Sequence, residues 1–210
     1  MFDKFSNQKG RSMIEMLGVL AIIGVLSIGG IAAYSKAMMQ YKINKTVSQT
    51  SFLVQGIREM VAKEKRVTLF ADNWVALRKL NILPEEMWQY NELFDTEMPT
   101  NAFGGVMMPS NTFDSDHGQF SVIYSDLPAE ACIALATYDW GSENEDFFGV
   151  GISPDFPLGN CDEPEGYSPR DVDFHLCSHM TYSSGKTNVS FAAEYCSEDE
   201  TNWVSLIFRY

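Results

Sequence analysis

The sequence contains no G-x-S-x-G, no Walker loop, no H-E-x-x-H and no glycine-rich dinucleotide turn. Its serines, histidines and aspartates show no spacing that assembles a nucleophile with a base, so no enzyme is expected and no cofactor is implied. Proline is absent before Pro84 and cysteine before Cys132. The first absence leaves the opening segment without the residue that interrupts helices. The second confines any disulfide framework to the remainder. Basic residues are outnumbered, 15 Lys and Arg against 28 Asp and Glu, for a net charge of −13. That balance argues against general nucleic-acid binding. Glycine (15) and proline (8) are too few for a collagen-like or low-complexity chain.

What is present suffices for a core. The 210 residues are 45% hydrophobic and 13% aromatic. That length accommodates one globular domain of about 150 residues with an appendage. Charge divides it near residue 66. Residues 1–66 carry ten Lys and Arg and four Asp and Glu, for +6; residues 67–210 carry five and twenty-four, for −19. Cys132, Cys161, Cys177 and Cys196 all fall in the acidic part.

Met16–Tyr34 is 19 residues without a charge. As a helix it spans about 29 Å, close to the hydrocarbon thickness of a bilayer. It is too long for the apolar region of a cleaved secretory signal. Lys4, Lys9 and Arg11 precede the run and Lys36, Lys42 and Lys45 follow it, so the positive-inside rule gives no orientation. Four cysteines in the acidic part suit an oxidising compartment and place that part outside the cytoplasm. Helical periodicity continues past the run. Val47, Leu53, Val54, Ile57, Met60 and Val61 recur at spacings of three, four and seven, with Lys45, Gln49, Arg58, Lys63 and Lys65 at other positions. One helix over residues 11–66 is expected, about 84 Å long. Its second half packs on the domain. Its greasy first half must find lipid or copies of itself.

Glu15 stands at the edge of the apolar run. A charge inside a bilayer is costly, about 2.5–3.5 kcal/mol at the centre on insertion scales. Either Glu15 sits at the headgroup boundary or it pairs with a cation, and a free α-amino group on a neighbouring chain would serve. Lys9-Gly10, then Arg11 to Glu15, then the apolar run resembles the class III signal of type IV pilins and type II secretion pseudopilins. The ten-residue leader with two lysines has the same character. The resemblance implies cleavage by a prepilin peptidase after Gly10, acceptance by Glu15 of the Arg11 amino group of a neighbouring subunit, and delivery to an inner-membrane assembly platform. Two departures stand out. Arg11 occupies the place usually held by Phe or Met, which bears on N-methylation. No mid-helix proline occurs; instead Gly24, Gly29 and Gly30 interrupt the run, as points of flexibility or of close helix packing.

Beyond residue 66 the pattern changes. Phe70–Leu80 reads as a short helix before the turn at Asn81–Pro84, and Asn101–Gly105 as a turn before the apolar Val106–Met108. Gln119–Tyr124, Phe147–Ile152, Val189–Cys196 and Trp203–Phe208 read as strands, and Pro128–Tyr138 as a proline-led helix. The expected class is α+β: a long N-terminal helix whose hydrophobic half projects, packed on an antiparallel sheet as a roll. This resembles the head of type IVb pilins. Four cysteines allow three pairings. The resemblance selects Cys132–Cys196, stapling the short helix to a late strand, and Cys161–Cys177 closing an excursion within it.

Two metal readings are set aside. His175, Cys177 and His179 alternate as on one strand face and with Cys161 make a zinc set, but a disulfide would consume both sulfurs. Asp139, Glu143, Glu145 and Asp146 offer oxygens for calcium without EF-hand spacing, and acidic runs are ordinarily solvated. The expected organisation is a leader (1–10), a transmembrane and assembly half-helix (11–34), an amphipathic half-helix (35–66) and an α+β head (67–210). The expected function is a structural subunit of an extracellular filament: a homo-oligomer that is single-pass in the bacterial inner membrane before assembly. The alternatives are a secretion pseudopilin or minor pilin, and a membrane-anchored extracytoplasmic binding or sensor domain that never polymerises.

Overall fold

A computed structural model describes residues 13–63, 74–79, 81–92, 95–110, 119–141, 146–153, 181–184, 187–199 and 201–209. Helix α1 runs unbroken over Met13–Lys63. The chain divides into two compact units, residues 1–41 and 42–210.

In the first unit, the described residues are all helix. Leu17, Ile22, Val25, Leu26, Ile28 and Ile31 are exposed. Burying one such side chain is worth about 1.5–3 kcal/mol, so this surface is unfavourable in water as it stands.

The second unit begins with the rest of α1. Ile43, Val47, Leu53, Val54 and Ile57 form its buried stripe, with Leu53 and Ile57 fully inaccessible. The intervening Asn44, Lys45, Ser48, Ser51 and Gln55 are exposed. This is the amphipathic pattern that the spacing announces. Thr46, Gln49 and Thr50 are also buried on α1. Gly56 admits the Ile82 side chain, since a Cβ there would lie 2.5 Å from Ile82 Cγ2.

Helix α2 (Trp74–Lys79) and a 3-10 turn at Glu85–Met87 lead into a hairpin of β1 (Trp88–Asn91) and β2 (Thr96–Pro99). The Arg78 guanidinium binds Glu85 and Glu97, tying α2 to the turn and the hairpin. The main sheet has five antiparallel strands in the order β3-β4-β7-β5-β6: β3 Met107–Ser110, β4 Gln119–Leu127, β5 Phe147–Ser153, β6 Thr181–Ser184 and β7 Asn202–Arg209. Register places Phe120, Val122 and Tyr124 beside Phe208, Leu206 and Val204, and these beside Phe147, Val150 and Ile152. The Phe208 ring stacks on Phe120 at a centroid distance of 5.6 Å and meets Phe147 at a tilt at 5.3 Å. The opposite face carries Ser121, Ile123, Ser205 and Ile207, which are buried too. Both faces of the central strands are therefore covered.

The turn before β3 depends on Gly105. A Cβ there would lie 2.1 Å from the Ser125 carbonyl oxygen. Asn101 Nδ2 donates to that same carbonyl at 2.9 Å, and Ser125 Oγ accepts from Val106 N at 2.8 Å.

Helix α3 (Ala129–Thr137) starts after Pro128, and helix α4 (Val189–Tyr195) precedes β7. Cys132 on α3 is disulfide-bonded to Cys196, the C-cap of α4, with Cα atoms 6.0 Å apart.

The architecture is the expected α+β arrangement of a long helix and antiparallel sheets. One element differs in kind. The segment at 189–196, expected as a strand, is α4. Val189, Phe191 and Tyr195 suggest a strand by propensity, but Asn188 Oδ1 accepts the Phe191 amide at 2.8 Å and caps a helix. Ala192 is then fully buried. Consequently the Cys132–Cys196 bridge joins two helices, not a helix to a strand. The helix expected over Phe70–Leu80 is described only as Trp74–Lys79. The sequence pattern gives no strand at β1, β2, β3 or β6. Cys161, Cys177, His175 and His179 lie outside the described residues.

Candidate assembly site

Of the residues singled out for assembly, Glu15 is the one described at the start of α1. Glu15 lies in its first turn and is exposed. A carboxylate there is favourable to the helix itself, because the first-turn amides and the dipole attract negative charge. Among the described residues it has no ion-pair partner, so its charge is available to a cation from elsewhere. Gly10 and Arg11 lie outside the described residues.

Gly24, Gly29 and Gly30 are all helical, and so is Gly18, a further glycine of the same run. A Cβ at any of the four would meet nothing within 4 Å. Glycine costs a helix about 1 kcal/mol relative to alanine. Nothing within the described chain repays that cost, in contrast to Gly56 and Gly105, where a neighbour occupies the space. Gly18 and Gly29 are eleven residues apart, about 20° around the helix, and so share one face. The signal that would have found Gly18 is that spacing. Ser27 contributes no free hydroxyl, since it donates to the Ile23 carbonyl at 2.7 Å. The result is a helix surface with open backbone at four positions, no unspent polar donor at Ser27 and one carboxylate at its start. Such a surface can receive other helices or lipid, and it offers no reactive group.

The head gathers no catalytic constellation among its described residues. Of the acidic set considered for calcium, Asp139 Oδ1 accepts the Gly141 amide at 3.1 Å. Asp146 faces Arg58 at 3.8 Å. Glu143 and Glu145 lie outside the described residues. No group of three or more metal-ligating side chains occurs among the described residues. Arg58 also donates to the Arg209 and Asp146 carbonyls, both at 3.1 Å, and so ties α1 to the ends of β7 and β5.

Inside the unit, the hydroxyls of Thr50 on α1 and Tyr124 on β4 are 2.5 Å apart. Both residues are fully buried. Burial pushes the Tyr124 phenol above its ordinary value. At the hairpin, the hydrogen bond from the Tyr90 hydroxyl to Asp95, with desolvation, raises the Tyr90 phenol. Hydrogen bonding to Arg78 holds the Glu85 carboxyl below the usual range. These groups stabilise local geometry.

No family model matches the chain, and no curated protein does. Among solved structures, it is similar to the crystal structure of type IV b pilin from Salmonella typhi, at 12% sequence identity and a TM-score of 0.51. The likeness covers 81% of this chain and 99% of that one. The chain therefore has a type IV pilin-like fold, and α1 is long and apolar enough to cross a membrane.

Proposed function

We propose that this chain is the structural subunit of an extracellular type IV pilus-like filament. One observation carries the reading: a pilin-like fold is joined to an exposed, apolar helical segment whose first turn bears a single carboxylate. In a single-pass subunit, that segment rests in the bacterial inner membrane with the head outside the cytoplasm. Prepilin peptidase removes residues 1–10 by cutting after Gly10, freeing the Arg11 amino group. The assembly platform then moves residues 11–34 from lipid into contact with other copies. Glu15 accepts the Arg11 amine of a neighbour, and apolar burial holds the fibre. Residues 35–66 and 67–210 serve as the supporting half-helix and the displayed head. Cys161–Cys177 forms a second disulfide there. Gly24, Gly29 and Gly30 permit close helix approach or local bending as the segment leaves the bilayer.

Glu15→Ala tests this. It is expected to leave cleavage after Gly10 largely intact and to cripple filament formation, scored by the N-terminal sequence of the product and by sheared filament yield. Abundant filaments from the variant would refute the pairing step. A wild-type chain that keeps Met1 and stays in the membrane would favour an anchored, unpolymerised domain instead.

A further inference from the structure

On the part of α1 that belongs to the second unit, Lys45, Phe52 and Glu59 are all exposed, Phe52 at 66%. They stand seven residues apart in turn. Each step of seven rotates the position by only about 20°, so the three form one stripe along the helix. Their exposed neighbours Ser48, Ser51 and Gln55 are uncharged. The stripe therefore holds one charge of each sign with a phenylalanine midway between them. Neither Lys45 nor Glu59 is in an ion pair among the described residues. Gln55 Nε2 donates to Glu59 Oε1 at 3.2 Å, which orients that carboxylate without neutralising it. The other bases of this stretch are engaged within the unit: the Lys42 ammonium is 5.5 Å from the centre of the Phe103 ring, and Arg58 faces Asp146 at 3.8 Å.

We propose that this stripe is a contact face between copies of the chain, with Lys45 of one copy set against Glu59 of the next. The inference deepens the filament reading and rests on it, because copies drawn from one membrane all point the same way. Parallel stripes in register would face Lys45 with Lys45 and Glu59 with Glu59, which is repulsive. Sliding one copy by fourteen residues, about 21 Å along the helix, brings opposite charges together. Phe52 supplies the apolar contact on the same stripe; a ring so exposed is unfavourable in water until a neighbour covers it. Ser48 and Ser51 are small enough to admit that neighbour closely.

The charge order also decides the kind of assembly. In the shifted arrangement each copy offers Lys45 to one neighbour and Glu59 to another, so the contact is head-to-tail and repeats without closing. That is the connectivity of a fibre and not of a two-fold dimer. A second copy fits the stripe better than an acidic or a basic partner, since either of those would complement one charge and oppose the other. Electrostatics points to the same face. Residues 67–210 carry five Lys and Arg against twenty-four Asp and Glu, so approach of one head to another is repulsive. Residues 42–62 hold Lys42, Lys45 and Arg58 against Glu59 alone, which makes this helix the place where copies meet with least repulsion.

Sheared filaments of the full chain, treated with a water-soluble carbodiimide, provide the test. That reagent joins an amine to a carboxylate where the two touch and adds no spacer. Lys45 and Glu59 of one chain are held about 21 Å apart by their helix, so a linked Lys45–Glu59 peptide, read by mass spectrometry after digestion, joins two copies. It is expected from wild type and absent from Lys45→Gln. Lys45→Glu and Glu59→Lys should each lower filament yield about tenfold, because like charges then face each other at every contact. The exchange Lys45→Glu/Glu59→Lys should restore both the yield and the 45–59 link, which a folding defect would not allow. Intact wild-type filaments without that link, or with Lys45 linked instead to a carboxylate of residues 67–210, overturn the inference while leaving the filament subunit standing. Full yield from either single reversal, or an exchange variant as poor as the single ones, overturns it as well. A wild-type chain that forms no filaments overturns both readings.

Discussion

The buried pair Thr50–Tyr124 permits a prediction whose sign depends on proton direction. Thr50 has one hydroxyl proton, and it goes to the Thr46 carbonyl, which can only accept, at 2.7 Å. Thr50 Oγ must therefore accept from the Tyr124 hydroxyl at 2.5 Å. The two single substitutions are then unequal. Tyr124→Phe removes a donor and leaves Thr50 still bonded to Thr46, for a loss of about 1 kcal/mol. Thr50→Val strands the Tyr124 hydroxyl in a fully buried place, for about 2 kcal/mol. The double variant removes the stranded group and should cost about as much as Tyr124→Phe alone. At about 3 °C per kcal/mol for a unit of this size, Tm falls by about 6 °C for Thr50→Val and about 3 °C for the other two. Tryptophan fluorescence of the detergent-solubilised full chain during heating measures all four proteins. Additive losses in the double variant, or a larger loss from Tyr124→Phe than from Thr50→Val, would refute the assigned proton.

Alkaline pH bears on the same residue. The folded phenol titrates above the ordinary value of 10.0, so its contribution is intact below pH 10 and is lost as pH rises beyond it. The Tm advantage of wild type over Tyr124→Phe should shrink between pH 9 and about pH 11, and a constant difference across that range would argue against burial as the cause. The Cys132–Cys196 bridge closes a sequence separation of 64, which on a loop-entropy estimate is worth about 4 kcal/mol. Cys132→Ala/Cys196→Ala should accordingly lower the denaturant midpoint sharply; an unchanged midpoint would mean that the two helices are held by packing alone. Gly29→Ala/Gly30→Ala meets open space at both Cβ positions and should slow amide exchange in the detergent-bound helix by an amount near 2 kcal/mol. The same variant should reduce filament yield if those glycines serve assembly, and undiminished yield would remove them from that role.

Local signals carried most of the helices. The uncharged run, the three-and-four spacing from Val47 to Val61 and the lack of proline before Pro84 sufficed for α1, because a helix is written in nearest neighbours. Pro128 announced α3 in the same way. The segment at 189–196 misled because valine and aromatic residues favour strands locally, while Asn188 and the packing of Ala192 favour a helix. Strands β1, β2, β3 and β6 are four residues each, too short for alternation to register. At the assembly site, Glu15 was legible from its place beside an apolar run. Gly18 was not, because its likeness to Gly29 shows only around a helix.

Sequence alone determined the division of this protein into a basic, apolar stem and an acidic, cysteine-bearing head, the continuity of its long helix, and the isolation of Glu15. These are properties of composition and short-range periodicity, and they hold whatever the rest of the chain does. Tertiary structure alone decided the strand order β3-β4-β7-β5-β6, the helical nature of the segment that ends at Cys196, and the meeting of Thr50 with Tyr124. It also separated glycines that a neighbour requires, at Gly56 and Gly105, from those that nothing in the described chain requires, at Gly24, Gly29 and Gly30. Each of these depends on residues distant in sequence competing for the same space, and no local pattern records the outcome of that competition.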